Sequence, residues 1–408
     1  CGRPLHRVRR RPCPLSKATG RGGFATGSTM TRPGRLSVSR VVVVALTALA
    51  IYAPLAFIVV QSFLSEPFFL PDKELGLSAF RFVFADPDFH DALRDGFLLA
   101  GGLVVIAVPL GAMLAFLISR TDLPGRRWIE PLILIPVFVS PMVLGFGYVV
   151  AAGPVGFFST WAHDLLGFVP WNIYSLPAII VIAGLTHVPY AYLYISSALR
   201  SLGSDVEEAA RTVGATPLQV MTAVSLPMVR PALSYASVLL FFLGLEVFGL
   251  MLVLGDPEGH LVLSTYLYKL TNKLGIPSYH LMAAVAMVLI AFTIPLVMLQ
   301  RHLLRSAGRY ATVKGKVARA RVLPLGRWRV LAGAVVALWL FVAIVVPLAG
   351  VVLRAFVTHW GIGVSLADVL SVRAFHTVFE QATLMRAIVN SILIGVIGGA
   401  FTVACYTA

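Results

Sequence analysis

The chain has 408 residues, 58% of them hydrophobic and only 12% charged, about half the charged share of an ordinary soluble domain, so most of its surface meets something other than water. A formal net charge of +15 would suggest nucleic acid on a soluble protein. Here the basic residues lie between long apolar runs, without a basic face carrying base-stacking aromatics, so nucleic acid is set aside as a partner in favour of membrane lipid and topology signals.

Residues 1–39 form a basic leader rich in Arg, Pro and Gly that is expected to be disordered. The chain begins with Cys1, whereas Met30-Thr31-Arg32-Pro33 opens a more usual start, so 1–29 read as upstream frame or leader. Cys1, Cys13 and Cys405 have neither disulfide nor metal-ligand spacing. A spanning helix needs about 20 mostly apolar residues whose backbone bonds close internally. Runs of that kind occupy 41–63, 96–119, 129–152, 176–198, 231–254, 281–300 and 330–353, and an apolar run from 387 reaches Ala408, beyond which the chain is expected to continue. The first run is too long, and lacks the small-residue cleavage site, to be a signal peptide. None alternates like a barrel strand. The expected fold class is all-α, a polytopic membrane protein.

Basic residues orient it. Arg32, Arg35 and Arg40 precede the first span, Arg120, Arg126 and Arg127 follow the second, and 301–329 is densely basic. The 64–95 loop carries Glu66, Asp72, Glu74, Asp86, Asp88, Asp91 and Asp95 instead, with Lys269 and Lys273 the main exceptions on its side. The N-terminus, 120–128, 199–230 and 301–329 are therefore expected in the cytoplasm. The chain also repeats itself. Tyr52-Ala-Pro54-Leu55-Ala56 is echoed by Val345-Val-Pro347-Leu348-Ala349, Val83-Phe84 by Val378-Phe379, and the stretch from Phe80 to Asp95 by Phe375 to Asn390. Gly96-Phe97-Leu98 likewise parallels Ser391-Ile392-Leu393. This makes 40–300 a first half, 301–329 a cytoplasmic linker and 330–408 the start of a like-oriented second half, incomplete at Ala408; parallel repeats are one way to build a two-sided pathway.

The polar 199–230 loop carries the chemistry. Ser204 can cap a helix whose first turn holds Asp205, Glu207 and Glu208, favourable at the positive end of the helix dipole. Gly214 suits the C′ position, and Thr216-Pro217 restarts a second short helix. Ala209 and Ala210 leave one face small enough for another backbone to approach closely.

Glu208-Ala209-Ala210, three residues, Gly214, nine residues, Val224, one residue, Leu226-Pro227 resembles the EAA loop of binding-protein-dependent ABC importer permeases, with every spacing kept. The resemblance implies a coupling helix that docks on separate ATP-binding cassette ATPase subunits, with Glu208 at the polar contact, Ala209 and Ala210 permitting close packing and Gly214 as hinge; Glu207, Leu226 and Pro227 complete the coupling residues. It implies an extracytoplasmic solute-binding protein as the second partner and the bacterial inner membrane as the location. Thr121-Asp-Leu-Pro124-Gly125-Arg126-Arg127, Leu134-Ile-Pro136 with Pro141, Ser175-Leu176-Pro177 and Ala198-Leu-Arg200 resemble the iron(III)-type permeases, which fuse two halves in one chain. Thiamine, polyamine and phosphonate importers share much of the pattern and stay open as alternatives.

Glu246 is the most interior acidic residue, either lining a pathway or sitting near the outer surface. His187 beside Pro189 reads as a packed imidazole, and Tyr190, Tyr192 and Tyr194 as a packing face. The sequence has no Gly-x-x-x-x-Gly-Lys-Ser/Thr, Gly-x-Ser-x-Gly or His-Glu-x-x-His motif, so no catalytic residue, cofactor or metal site is expected and enzymatic chemistry belongs to a partner chain. An ion-coupled secondary transporter would need more intramembrane ionisable groups than Glu246 provides.

Overall fold

The computed structural model describes residues 38–201, 205–272, 278–305, 322–361, 364 and 366–407. The leader up to residue 37, Ser204, Lys273 and the linker residues 306–321 lie outside the described residues. Two units are distinguished, Cys1–Pro54 and Leu55–Ala408. Of the first, the described residues are the beginning of helix α1 (Val38–Ser62), whose later part belongs to the second.

The amphipathic α2 (Ser78–Ala85) leads into α3 (Pro87–Arg120), 34 residues long. The Asp86 carboxylate fixes its start by accepting from the Asp88 N–H at 3.0 Å, with Pro87 at the first position, where no N–H is needed. The single span expected at 129–152 is instead broken into α4 (Arg126–Ile133), α5 (Ile135–Phe138) and α6 (Pro141–Ala152). Pro131, Pro136 and Pro141 each remove a backbone donor there, and three short helices replace one ladder. Then come α7 (Phe157–Leu166) and α8 (Leu176–Ser201). The 199–230 loop contains α9 (Asp205–Thr212), α10 (Pro217–Val220), a π-helical turn (Met221–Ser225) and α11 (Leu226–Met228). The chain bends by 74° into α12 (Arg230–Leu245). The span expected at 231–254 is likewise interrupted, at Glu246, before α13 (Gly249–Leu254).

The amphipathic α14 (Leu263–Asn272) is followed by α15 (Tyr279–Arg305). Beyond the linker, α16 (Trp328–Leu340), a π turn (Phe341–Val345) and α17 (Val346–Ala355) make one long helix. It is followed by α18 (Leu366–Val369), α19 (Arg373–Glu380), α20 (Ala382–Leu393), another π turn (Ile394–Gly398) and α21 (Gly399–Thr407). Among the described residues there is no strand, only isolated bridges. Among the described residues, seven helices are long and apolar enough to cross a membrane, or eight if the bent pair is one span.

The main core lies where α3, α8 and α12 meet, around Leu99, Leu103, Ile179, Ala191, Ile195 and Leu240. In a membrane, helices associate by close packing rather than by the hydrophobic effect, so small residues at the crossings matter most. A Cβ on Gly111 would lie 2.5 Å from the Ala191 Cβ, and one on Gly244 would lie 2.6 Å from the Ala100 Cα. A second cluster, built on Val83, Phe89, Tyr266 and Ala284, joins α2 and α14 to the ends of α3 and α15. The residues after the linker are tied on through α6 and α17. A Cβ on Gly147 would be 2.2 Å from the Pro347 carbonyl oxygen, and the Tyr148 hydroxyl donates to the Val342 carbonyl at 2.9 Å.

Two short segments share a hydrogen-bond pattern. An antiparallel bridge pairs Leu64 with Leu75, and another pairs Val357 with Leu370. Around the first, Ser65 N–H donates to Glu74 and Gly76 N–H to Phe63; around the second, Thr358 N–H donates to Val369 and Ser371 N–H to Phe356. An eight-residue helix follows each bridge, α2 and α19, and then a long apolar helix. The second loop is two residues longer, 357–370 against 64–75.

Candidate functional site

The 199–230 loop is built from two local motifs that its sequence dictates. At the end of α9 the Gly214 N–H donates to the Arg211 carbonyl at 2.9 Å and the Ala215 N–H to the Ala210 carbonyl at 3.1 Å. This is the paired bonding of a Schellman motif, which requires a left-handed residue at C′. Gly214 supplies it with φ +91°. Two residues on, the Thr216 N–H donates to Gln219 Oε1 at 2.8 Å while the Gln219 N–H donates to Thr216 Oγ1 at 3.3 Å. That reciprocal capping box starts α10. Two short helices thus meet at a defined angle around one glycine.

Adjacent residues on a helix point about 100° apart, and this separates the two glutamates. Glu207 is 4% exposed, and its Oε1 accepts from the Ser225 hydroxyl at 2.8 Å and lies 3.4 Å from Arg120 Nε. Glu208 is partly exposed and, with Arg211, Thr212, Asp122, Val322 and Pro324, lines a cleft of ≈ 640 Å³. Ala209 is exposed, Ala210 packs partly against the core, and Leu226 and Pro227 are partly buried at the foot of α12. Val213 and Leu218, on either side of the Gly214 turn, are 85% and 65% exposed. The structure therefore brings Glu208, Ala209 and Gly214 to an open surface and turns Glu207 inward.

The sequence reading missed Arg120, Ser225 and Asp122. Arg120 ends α3 and donates from Nη2 to the Leu199 carbonyl at 2.6 Å. The Asp122 carboxylate accepts from the Leu325 N–H at 2.9 Å, and Thr121 bridges to Leu323. The loops at 120–128 and 199–230 and the segment entering α16 therefore meet at one end of the helices. Their shared sidedness was legible from charge, but the pairing was not, because a lone arginine after an apolar run also reads as a topology signal.

Acidic residues of the 64–95 region gather at the other end. Asp86 accepts from the Tyr266 hydroxyl at 2.7 Å, Lys269 pairs with Asp88, and His260 Nδ1 lies 3.1 Å from Asp95 Oδ2. Burial, reinforced by the Asp86 hydrogen bond and the Asp86 and Asp88 charges, raises the Tyr266 pKa well above its ordinary value. Glu246 is exposed at the break between α12 and α13. His187 is 8% exposed, with Nδ1 2.7 Å from the Ala183 carbonyl, a packed imidazole. Among the described residues no group of three His, Cys, Asp or Glu side chains could hold a metal ion.

Residues 107–309 match the family model of the binding-protein-dependent transport system inner membrane component. The sulfate transport system permease CysW of Escherichia coli K12 is 30% identical over 195 residues, 47% of this chain and 62% of that protein. The molybdenum transport system permease ModB of Mycobacterium tuberculosis is 30% identical over 190 residues, 46% of this chain and 71% of that protein. The ferric transport system permease FbpB of Actinobacillus pleuropneumoniae is 26% identical over 239 residues, 57% of this chain but only 34% of that protein. The chain thus spans less than two thirds of the sulfate permease it matches. In fold it is similar to a chain in the crystal structure of a bacterial ABC transporter involved in the import of the acidic polysaccharide alginate, with a TM-score of 0.56 at 20% identity over 67% of this chain and 95% of that one. A multi-pass helical bundle with these matches places the chain by descent: it belongs to the family of binding-protein-dependent transport system inner membrane components.

Proposed function

We propose that this chain is the permease of an ATP-driven importer, carrying substrate from an extracytoplasmic solute-binding protein to the cytoplasm. The 199–230 loop is its coupling element toward ATP-binding cassette ATPase subunits. The carrying observation is the exposed α9–Gly214–α10 surface. A Schellman motif and a capping box, at a site that buries little, hold a rigid, small-residue face outward, which suits docking against a partner. In this reading Glu208, Ala209 and Ala210 meet the ATPase, Gly214 sets the angle, and Leu226-Pro227 hand the loop over to α12. Glu207 serves from within. The basic end and the N-terminus lie in the cytoplasm, the acidic 64–95 end faces the binding protein, and lipid surrounds the spans. Hydrolysis belongs to the partner chain, whose nucleotide-dependent closure biases a two-state helical bundle.

The two halves, 40–300 and 330–408, are joined by the 301–329 linker, a layout supported by the hydrogen-bond repeat. Glu246 lines the pathway; its exposure at a helix break supports this, since interrupted helices commonly frame transport sites. The cargo is iron(III). The ferric relative matches the longest stretch yet is covered least, 239 residues and 34%, so it is a longer protein, as expected for two fused halves. A second reading, a tetrahedral oxyanion, is favoured by the higher identity to the sulfate and molybdenum permeases, 30% each.

The test is the full-length permease reconstituted with its ATPase and binding protein. ATP-dependent uptake of radiolabelled iron above that of sulfate and molybdate supports the cargo, and preference for an oxyanion transfers it to the second reading. Failure of the ATPase to co-purify with the permease removes the coupling role itself.

A further inference from the structure

The buried Arg120–Glu207 pair is costly and has no local reason to exist. Arg120 is 1% exposed and Glu207 4%. Removing both charges from water takes back roughly what their attraction returns, and well-packed apolar residues commonly hold such a place equally well. The best-attested use of a buried ion pair is to fix one register between elements.

The geometry here links four elements at one point. Arg120 is the last residue of α3. Its Nη2 reaches the Leu199 carbonyl near the end of α8 at 2.6 Å, and its Nε lies 3.4 Å from Glu207 Oε1 on α9. The same Oε1 accepts from Ser225 Oγ at 2.8 Å, at the last residue of the π turn before α11 and α12. The Val220 carbonyl, 3.3 Å from the same hydroxyl, competes for its single proton at longer range. The Arg120 carbonyl also accepts from the Leu323 N–H at 2.8 Å, and Asp122 donates its N–H to the Leu323 carbonyl at 3.1 Å and accepts on its carboxylate from the Leu325 N–H at 2.9 Å, on the segment that enters α16. A carboxylate takes two or more directional bonds, and a guanidinium offers a rigid fork of donors. The directional bonds here are from Arg120 to the Leu199 carbonyl and from Ser225 to Glu207, and the charge attraction of the pair joins them across α3 and α9.

We infer that Arg120 and Glu207 are positioning residues of the coupling loop, the joint through which displacement of α9 becomes displacement of α3, α8 and the entry to α16. The inference rests on the coupling role proposed above. Glu208 meets the partner, and Glu207 carries the load inward. Losing the charge at Glu207 leaves the docking face intact but lets α9 turn against α3 without moving it.

The experiment uses the full-length permease reconstituted with its ATPase and binding protein. Its variants are Glu207→Gln, Arg120→Glu and the exchanged pair Arg120→Glu with Glu207→Arg. Three quantities are read: ATPase co-purification, ATP hydrolysis stimulated by loaded binding protein, and substrate imported per ATP. Glu207→Gln is nearly isosteric and keeps an acceptor for Ser225. It should still co-purify with the ATPase while import per ATP falls about tenfold or more, the scale set by losing one charge-assisted contact. The exchanged pair should recover part of the coupling lost in Arg120→Glu. An unchanged ratio of import to hydrolysis in Glu207→Gln overturns the inference. Loss of co-purification in that variant also overturns it, because Glu207 would then be a docking residue. Should Arg120→Glu fail to insert, recovery in the exchanged pair still supports the joint and failure of both still counts against it. If even the unmodified permease does not bind the ATPase, the coupling reading falls instead, and the two failures are distinguished.

Discussion

Substituting Gly214 isolates what its turn geometry contributes to the proposed coupling. The residue sits at φ +91°, and beyond its immediate chain neighbours nothing lies within 4 Å of where a Cβ would go, so alanine adds no tertiary clash. The cost is purely conformational, about 1–2 kcal/mol for an L-residue held left-handed, or roughly a 5–30-fold shift in the population of the formed motif. Asparagine tolerates that region better and should cost less. Proline is different in kind. Its ring holds φ near about −65°, and it deletes the N–H that bonds Arg211 at 2.9 Å. The motif cannot form, and the direction of α10 relative to α9 is lost. In proteoliposomes holding the full-length permease, its ATPase and its binding protein, uptake per ATP should rank glycine, asparagine, alanine, then proline near zero, with membrane insertion unaffected. Proline with wild-type uptake, or alanine as damaging as proline, would refute the argument that a specific turn conformation transmits the stroke.

Cysteines placed at Val213 and Leu75, 85% and 79% exposed, should label from opposite faces of the membrane, and labelling of both from outside reverses the orientation. Glu208→Lys should weaken ATPase co-purification by about tenfold or more, as expected for charge reversal at a polar contact, and normal retention would remove Glu208 from the interface. Gly147→Ala should force α6 and α17 apart, because its Cβ would lie 2.2 Å from the Pro347 oxygen. Overpacking of that kind costs about 1–3 kcal/mol, read as a lower melting temperature of the detergent-solubilised protein; an unchanged melting curve would show that the contact yields freely.

The sequence made the spans legible because about twenty apolar residues with closed backbone bonds have few alternatives in a bilayer. The caps of the 199–230 loop were legible as well, since Gly214 and Thr216 act through their own backbone neighbourhoods. The breaks were not. Prolines are tolerated inside membrane helices when neighbours re-satisfy the backbone, so Pro131, Pro136 and Pro141 alone do not say whether a helix bends or ends. Glu246 was visible as an interior acid, but its place at a helix end depends on how α12 and α13 pack. Arg120 and Glu207 lie far apart in sequence and meet only after folding, and a charge count cannot distinguish a solvated arginine from a buried one. The similar residue order of 64–98 and 357–393 was legible, whereas the matched bonds around Leu64 and Val357 depend on folding.

At the crossing of α6 and α17 the two backbones touch: a Cβ on Gly350 would lie 2.5 Å from the Gly147 carbonyl oxygen. Two rods in such contact resist translation, because either would have to lift a peptide group over its neighbour before advancing a turn. They resist rotation far less, since a contact between two bare ridges has almost no lever arm. Whatever relative motion the residues on either side of the linker undergo should therefore resemble a rocker on a fulcrum. Small angular changes at Gly147 would be magnified toward both membrane faces while the midpoint stays still.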